Sequence, residues 1–556
     1  MGVERGVLCG MFPKMRSGRG IQVHEETGPD QAIVRLPAAR TAFVGRTLRG
    51  PVNQAVPVRN FADFQQIFGG LWQPSSVSYA VEQFFDNGGS EALIVRVQNG
   101  ARPSTLSLPA GAEALQLRAT RPGTREFLRV CVDYDNVPAD NSENFNLTVQ
   151  RIRTQGTLRV EDQETFRNLS LKPESDTYLG AVLADSEMIE PMIPLPVLRP
   201  ELTRDTITGV PTGYVYSNSD GDDGAPITDY DLIGSSVDRT GMFAITDADE
   251  FNFLCIPPIS RDQDIGPSTL MIAARFCRAR RALLIVDPPA SWATADDALR
   301  GLREWNFASE DALMFFPRIL AHDKLRARFE AFAPCGAVAG MLAKGDEAAS
   351  VWAASDLEEP ILRPGFRPVC WVADDRRARL ALLGVNTLQT VRSPVYSSLR
   401  LRTLGAASAA EPGWRYLAER RQALAIINSI EHGTRWVAIA SPQAEIADLL
   451  EKQVREFLGE LHAAGKFGEH DPKDSYYVVA DRRGNRSGNG GRDKREFQFL
   501  IGFAAQNRGQ FHTFRISQSL VGSQVRAVTL NQLSDPRPVA RQIPTAAPPA
   551  AEVRPP

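Results

Sequence analysis

The stretch from residue 414 to residue 481 has the most regular alternation of apolar and polar positions in the chain. Apolar residues recur there at intervals of three or seven, which predicts an amphipathic helix that ends at Gly433. The recurring positions are Leu417, Leu424, Ile427 and Ile430. The apolar run TRWVAIA follows directly, and it predicts a strand.

A second helix is predicted to start at Ser441 and Pro442 and to run to residue 464, because Ser441 is a favoured N-cap and Pro442 suits the first helical position. Its apolar positions form one stripe, and its charged residues lie elsewhere on its surface. The stripe consists of Ile446, Leu449, Leu450, Val454, Phe457, Leu458 and Leu461. The segment SYYVVAD then predicts another strand. The region is therefore predicted to be a helix, strand, helix, strand unit, and no catalytic group stands at its strand ends.

Two other parts of the chain alternate strand patterns with helix patterns. Between residues 37 and 100, TAFVG and ALIVRV predict strands, while FADFQQIFG and SVSYAVEQFF predict helices. Between residues 236 and 400, the strand patterns FNFLCIPP, ALLIVDPP and DALMFFPRIL are separated by the helix patterns TLMIAARFCRARR and ADDALRGLREWN. Continuous apolar runs such as LLIVD are typical of a sheet that is covered on both faces. The fold class is therefore predicted to be multidomain α/β, with residues 401–509 as a further, C-terminal α/β domain.

Residues 101–235 have a different pattern, because short alternating segments are separated by Pro, Gly and Asn. This pattern predicts a β-rich domain inserted into the α/β core. Its last loop places Asp220, Asp222 and Asp223 between Asn218 and Asp229, which raises the possibility of a calcium loop. An EF-hand requires Gly at the sixth position and Glu at the twelfth, where this chain has Asp223 and Asp229, so a polar turn is favoured.

The two ends of the chain are predicted to be an arm and a tail. Residues 1–36 contain several glycines and one short alternating segment, GIQVHEE, with Ile21 and Val23 on one face. A lone strand is not stable alone, so it is expected to pair with a sheet edge on its own or another subunit, and a frayed terminus is the alternative. Residues 534–556 are rich in Pro and Ala, which predicts a disordered tail.

Composition narrows the classes of function. The 556 residues carry a formal net charge of −3, so there is no excess of Lys and Arg of the kind that nucleic-acid binding requires. The six cysteines have no metal-knuckle or redox spacing and are predicted to be reduced and structural. The N-terminus lacks the apolar core of a signal peptide, and no apolar run reaches the length of a membrane span. We therefore expect neither nucleic acid nor membrane insertion among its partners.

The chain contains no motif of a known catalytic or cofactor site. It has no phosphate-binding loop, no Gly-x-Ser-x-Gly elbow, no dinucleotide-binding glycines and no His-Glu-x-x-His. Asp287 ends a predicted strand, where an α/β hydrolase would keep a carboxylate, but the prolines that follow favour a strand terminator. The prediction is a protein that is not an enzyme, with no catalytic, cofactor or metal residues, and a hydrolase is the minor alternative.

Several phrases of the chain resemble the contractile-tail sheath proteins of phages, tailocins and phage-like injection systems. They are the Trp-Arg-Tyr helix entry, SIEHGTRWVAIASP, KDSYYVVAD, a strand that ends in Val-Gly-Arg, the Phe-Ala-Asp-Phe helix and the Asn-Gly-Gly turn before ALIVRV. These phrases occur in the same order as in that family and span most of residues 20–520. The basic segment 481–495 departs from the family, whose members tend to be acidic there.

The resemblance implies a structural subunit that forms sixfold rings and a helical sleeve around an inner tube, and that contracts to drive the tube through a target envelope. It implies the inner tube protein, the baseplate and the tail terminator as partners. Assembly in a bacterial cytoplasm is expected, followed by incorporation into a phage tail or a released, phage-like particle. A baseplate or tube-cap protein of the same machine is the alternative.

The resemblance also assigns surfaces. The family's last strand reaches a neighbouring subunit, which makes residues 510–533 a second arm, with Phe511, Phe514 and Ile516 as its apolar residues. The family turns the C-terminal domain inward, so the polar face of the helix after Ser441 is expected to meet the tube. Its residues are Glu445, Lys452, Arg455 and Glu456.

Overall fold

The structure is a computed structural model. It describes residues 32–138, 140–153, 158–204, 213–248, 250–349, 361–390, 400–405, 412–439, 444–467, 471–480, 496–504, 511–520 and 522–528. The predictions for Ile21, Val23, Ser441, Pro442, the segment 481–495 and the tail 534–556 lie outside these residues.

The described strands are, in chain order, β1 Thr41–Gly45, β2 Ala55–Val58, β3 Ala92–Arg96, β4 Thr105–Ala110, β5 Glu113–Ala119, β6 Leu128–Asp133, β7 Phe145–Arg153, β8 Arg159–Leu169, β9 Ile189–Pro191, β10 Val215–Tyr216, β11 Phe253–Cys255, β12 Leu283–Val286, β13 Ala312–Phe316, β14 Ile319–Asp323, β15 Arg328–Phe332, β16 Arg367–Pro368, β17 Val385–Thr387, β18 Tyr476–Ala480, β19 Glu496–Phe503, β20 His512–Ser519 and β21 Gly522–Ala527.

The described α-helices are α1 Phe61–Phe68, α2 Val77–Asp86, α3 Leu179–Val182, α4 Asp229–Ile233, α5 Pro267–Arg280, α6 Ala295–Glu304, α7 Cys335–Ala349, α8 Asp374–Leu382, α9 Leu417–Gly433, α10 Ala444–Ala463 and α11 Pro472–Ser475.

The largest sheet has seven strands in the order β17-β13-β12-β11-β1-β3-β2. Its pairs are parallel except for β2, which runs antiparallel to β3 at the edge. One core lies between the sheet and helices α5, α6 and α8, and another lies between its opposite face and helices α1, α2 and α7. Every residue of β1, β3, β12 and β13 is buried, because helices cover both faces. The predicted α/β fold class is confirmed.

The chain between β3 and α4 forms two antiparallel sheets of its own. Their strand orders are β10-β6-β7-β8 and β4-β5-β9, and one apolar core lies between them. The core residues alternate along the strands with less buried ones, as in Leu106 and Leu108 of β4 or Leu115 and Leu117 of β5. The alternating pattern read from the sequence corresponds to these strands.

The C-terminal region packs α9 and α10 against the antiparallel sheet β18-β19-β20-β21. Phe497, Phe499, Ile501 and Phe503 of β19 are all buried in its core, as their alternation predicts. Ile33 belongs to the same core, so the described residues just before β1 pack against the C-terminal region.

The predicted strand TRWVAIA is wrong. Residues Arg435–Ala438 form a 3₁₀ helix that follows α9 directly, and the backbone N–H of Val437 donates to the carbonyl of Thr434 at 3.2 Å. Val437 is buried while Ile439 is exposed, so the run is apolar without lying in a sheet. A short apolar run fits either a strand or a helical turn, and periodicity cannot separate the two.

Candidate functional site

Helix α10 presents one polar face to solvent. Leu450, Val454, Phe457, Leu458 and Leu461 of the predicted stripe are buried in the C-terminal core, which turns the opposite side of the helix outward. Ile446 is half-buried, and Leu449, which the sequence places in the stripe, is exposed.

The four predicted tube-facing residues share this outer face. Glu445 is exposed, and the side chains of Lys452, Arg455 and Glu456 are 71%, 53% and 65% exposed. The Nζ of Lys452 lies 3.8 Å from a carboxylate oxygen of Glu456. Arg455 donates to Glu451 at 2.5 Å. Both cations therefore already have a carboxylate one turn away on their own helix.

The outer face carries more acid than base. Asp448 and Glu460 are also exposed on α10, in addition to Glu445 and Glu456. All of these residues can be placed on the outer face of α10 from the sequence alone. A count of every charge on that face, instead of a choice of four positions, gives the same surplus of acid.

The predicted C-terminal arm residues lie mainly within the chain's own core. Phe514 and Ile516 are buried among the residues of β19 and α10, and β20 lies between β19 and β21 in the sheet. Phe511 packs edge-on against Tyr477, with ring centroids 5.2 Å apart. Strand β21 is an edge of the sheet and its residues are mostly exposed. Among the described residues of this segment, β21 is therefore the more exposed strand.

The carboxyl ends of the parallel strands hold polar residues, as they would in an α/β enzyme, but most of their polar atoms bind neighbouring backbone or side-chain atoms. The carboxyl group of the half-buried Asp287 is enclosed: its Oδ1 accepts a hydrogen bond at 2.8 Å from the backbone N–H of Cys335, which begins α7, and its Oδ2 has no hydrogen-bond partner among the described residues. Burial raises the pKa of Asp287 to about 6. The Nε of Arg318 donates to the carbonyl of Pro288 at 3.0 Å, and its guanidinium pairs with Asp264.

A neighbouring cluster of polar residues, Tyr79, Arg261 and Asp323, is held together by contacts between its own side chains. The hydroxyl of Tyr79 donates to Asp323 at 3.2 Å, and Arg261 pairs with the same buried carboxylate. Burial, with the charge of Asp323, raises the pKa of Tyr79 to about 12. The cavity beside these residues has a volume of about 10 Å³, which is too small for a substrate.

Three aspartates of the loop considered for calcium accept hydrogen bonds from backbone N–H groups far away in the chain. Asp220 accepts from the backbone N–H of Thr105 at 2.9 Å, Asp223 from that of Thr124 at 2.8 Å, and Asp229 from that of Gly266 at 3.1 Å. The three carboxylates therefore bind three separate backbone positions. Across the described ranges, no group of His, Cys, Asp and Glu is arranged to hold a metal ion.

Two further properties bear on the candidate site. Among the helices that the structure describes, none has the length and apolar character of a membrane span. The five described cysteines are free thiols, and four of them are buried.

Comparison with known proteins gives matches only at the level of structure. No protein-family profile matches the sequence, and no curated protein matches it. A sheath tail protein from Listeria innocua has a TM-score of 0.55 and 13% identity, over 88% of this chain and 97% of its own. A sheath tail protein from Desulfitobacterium hafniense has a TM-score of 0.48 and 11% identity, over 90% of this chain and 100% of its own. The PVC sheath complex of an extracellular contractile injection system, in its contracted state, has a TM-score of 0.48 and 13% identity, over 90% of this chain and 97% of its own.

The Listeria match extends over nearly the whole of both chains. The chain therefore has the fold of a sheath tail protein.

Proposed function

We propose that the chain is a structural subunit of a contractile sheath, which polymerises around an inner tube and contracts to drive that tube through a target envelope. The observation that carries this proposal is the shared fold over 88% of the chain. The family phrases in the sequence, which occur in matching order, support it independently. The energy for contraction would lie in the difference between two packings of the same subunits.

The proposed role needs no catalysis. Asp287, Arg318, Tyr79 and Asp323 bind one another or nearby backbone atoms, and the adjoining cavity is too small for a substrate. These observations favour a structural protein over an α/β hydrolase.

The proposed inter-subunit arms are residues 1–36 and 510–533. Of the first arm, the described residues 32–36 lie against the C-terminal region, where the backbone N–H of Leu36 donates to the Oγ of Ser429 at 3.1 Å. Because Phe514 and Ile516 belong to the core of their own chain, the C-terminal arm would act through the open edge of β21 rather than through those side chains.

The proposed tube contact is the outer face of α10, with Glu445, Lys452, Arg455 and Glu456. Exposed charged groups suit a surface that must hold the tube and later release it, because a large apolar patch would be costly to expose. The acid surplus of this face predicts a tube surface with more base than acid opposite it.

Electron microscopy of the purified chain tests the proposal. We expect the purified chain to form hollow sleeves built from stacked rings. In the cell, the same sleeves would assemble in a bacterial cytoplasm and become part of a phage-like particle together with tube, baseplate and terminator proteins. Isolated discs would instead indicate a baseplate or tube-cap protein. Deletion of residues 1–26 should leave a folded monomer that forms no long sleeves, and normal sleeves from this truncation would contradict the arm assignment.

A further inference from the structure

The small sheet β15-β14-β16 leaves one face exposed, and that face is aromatic and cationic. Leu320 and His322 of β14 point outward, and each is paired in register with an outward residue of β15, Ala331 and Phe329 respectively. The guanidinium of Arg367 on β16 lies 4.9 Å from the ring centroid of Phe329. We call this surface, together with the exposed Val369 and Trp371 that follow β16, the aromatic sheet face.

The large apolar residues of the aromatic sheet face are unusually exposed. Trp371 is 79% exposed and Phe329 is 52% exposed. Aromatic residues and Arg dominate the binding energy of protein interfaces, while contiguous exposed apolar surface is uncommon on monomers. The face therefore has the composition of a contact site.

A second apolar surface lies in the β-rich region. The segment from residue 192 to residue 200, MIPLPVLRP, crosses the β4–β5 hairpin, and we call it the apolar strap. Ile193 and Val197 are each 87% exposed, and Leu198 and Met192 are exposed beside them. Acidic residues border the strap, because Glu113 accepts from the backbone N–H of Val197 at 3.0 Å and Glu201 is exposed at its end.

The apolar strap is fixed in place rather than loose. The backbone N–H of Met192 donates to the carbonyl of Gln116 at 2.9 Å, and that of Glu201 donates to the carbonyl of Pro109 at 2.7 Å. Leu198 lies over Gly111, whose φ is +68° and where a Cβ would come within 2.8 Å of the leucine Cδ1. A surface that is ordered before binding loses less entropy on association.

The two surfaces also lie in parts of the chain with opposite charge. Residues 101–235 contain 21 acidic and 12 basic residues, a formal charge of −9, whereas the rest of the chain carries +6. Arg367 places a guanidinium on the aromatic sheet face itself, over the ring of Phe329. An acidic surface is therefore the electrostatic complement of the aromatic sheet face.

We infer that the apolar strap of one copy of this chain docks on the aromatic sheet face of a second copy. The strap supplies exposed aliphatic side chains with acid beside them, and the face supplies exposed aromatic side chains with base beside them. Since two different surfaces meet, the contact is heterologous and propagates into a ring or a helix instead of closing as a dimer. The inference rests on the proposed sheath function for the premise that copies polymerise.

A mixing experiment on the full chain tests the contact. One variant carries Ile193→Asp and Val197→Asp, and the other carries Arg367→Glu and Trp371→Asp. Each variant alone should lose at least about tenfold in affinity for its own kind, because a docking surface is missing at every contact. An equimolar mixture should form a dimer of twice the 61.0 kDa chain mass in sedimentation, since each variant retains the surface that the other lacks.

Val237→Asp is the matched control, because Val237 is 88% exposed and belongs to neither surface. This variant should assemble like the unmodified chain. Normal assembly by both double variants, or failure of their mixture to form the dimer, would overturn the inference.

Cross-linking makes the result independent of sleeve formation. Chains with Ile193→Cys should be joined by a short bismaleimide to chains with Trp371→Cys, while chains with Val237→Cys should not. Trp371→Cys should react in the monomer with a maleimide dye as fast as Val237→Cys does. A reaction about tenfold slower would mean that another segment of the same chain covers the face, which also overturns the inference. Cysteine variants that cross-link across this contact, while neither they nor the unmodified chain form sleeves, would contradict the sheath proposal alone.

Discussion

Helices α9 and α10 are neighbours along the chain and both carry many charged residues, yet the structure uses those charges in opposite ways. Helix α9 is buried along almost its whole length, and Arg420 and Glu431 on it form ion pairs with Asp311 and Arg281 of the α/β layer. Helix α10 buries one stripe and leaves Lys452 and Glu456 in solvent. A buried charge without its partner is costly, whereas an exposed one is not. The charges of α9 therefore hold the two regions together, and those of α10 remain available to a partner.

Removing a cation from α9 should give the largest effect. Asp311 is buried between Arg420 and Arg278, so Arg420→Leu leaves that carboxylate with one of its two cations. We expect a loss of about 3 kcal/mol in the free energy of unfolding. Arg455→Leu on α10 is the matched change, and it should cost less than about 1 kcal/mol. Equal losses in chemical denaturation would mean that the distinction between the helices is wrong.

Removing an anion from α9 should have a smaller effect that depends on pH. Burial acts to raise the pKa of Glu431, but hydrogen bonds from Arg435 and Ser523 and the charge of Arg281 outweigh it and hold the pKa below its ordinary value. The stabilisation is therefore present above pH 4.5 and is lost as the pH falls through the lowered pKa. Glu431→Gln should cost about 2 kcal/mol at pH 7.

The Glu431→Gln variant should also lose less stability than the unmodified chain on acidification. Melting temperatures of both chains between pH 3 and pH 7 measure this difference, and Glu456→Gln on α10 is the exposed control. Parallel pH curves for all three chains would contradict the assignment.

Asp287 adds a third case to the comparison of buried and exposed charges, because its carboxyl group is buried and has no direct ion pair among the contacts described. Its pKa is raised to about 6, so the folded chain retains the proton and loses stability as the pH rises from about 4 to about 6. Asp287→Asn keeps an oxygen acceptor for the N–H of Cys335 and removes the charge. We expect this variant to be more stable than the unmodified chain by about 1 kcal/mol at pH 8, and the advantage to vanish near pH 4. A variant that is less stable at pH 8 would refute the prediction.

Charge reversal on α10 should have the smallest effect on stability and the clearest effect on binding. The double change Lys452→Glu and Arg455→Glu should alter the free energy of unfolding by less than about 1 kcal/mol, because both side chains are exposed. It should weaken the grip on the inner tube in a way that depends on salt. Co-sedimentation of sleeves with tubes over a range of salt concentrations measures this effect. Extended sleeves on tubes at every salt concentration would place the tube contact elsewhere.

The elements that the sequence predicted well are those with a clear period or a continuous apolar run. The strands at TAFVG, ALIVRV and LLIV and the helices α1, α2, α5 and α6 all form where their patterns place them. The stripe of α10 was correct for Leu450 and Val454 and wrong for Leu449, which lies at the margin of the buried face. The strand prediction for TRWVAIA was wrong because the length and composition of this run fit a strand and a helical turn equally well.

The candidate surfaces were predictable only in part. The polarity of the outer face of α10 follows from its period of 3.6 residues, so Glu445, Lys452, Arg455 and Glu456 could be selected from the sequence. The pairing of Arg455 with Glu451, and the burial of Phe514 and Ile516 in their own core, depend on which neighbours pack against those residues.

The α/β class, the β-rich region, the amphipathic α10 and the lack of a catalytic motif could be predicted from the sequence, since each of these follows from local patterns of side chains. The burial of α9 on all sides, the contacts of the polar residues near Asp287, and the exposure of the aromatic sheet face and the apolar strap emerge only in the folded chain. Burial and ion pairing arise from contacts between residues far apart in the chain, and local patterns do not specify such contacts. Arg420 and Asp311, for example, are separated by 109 positions.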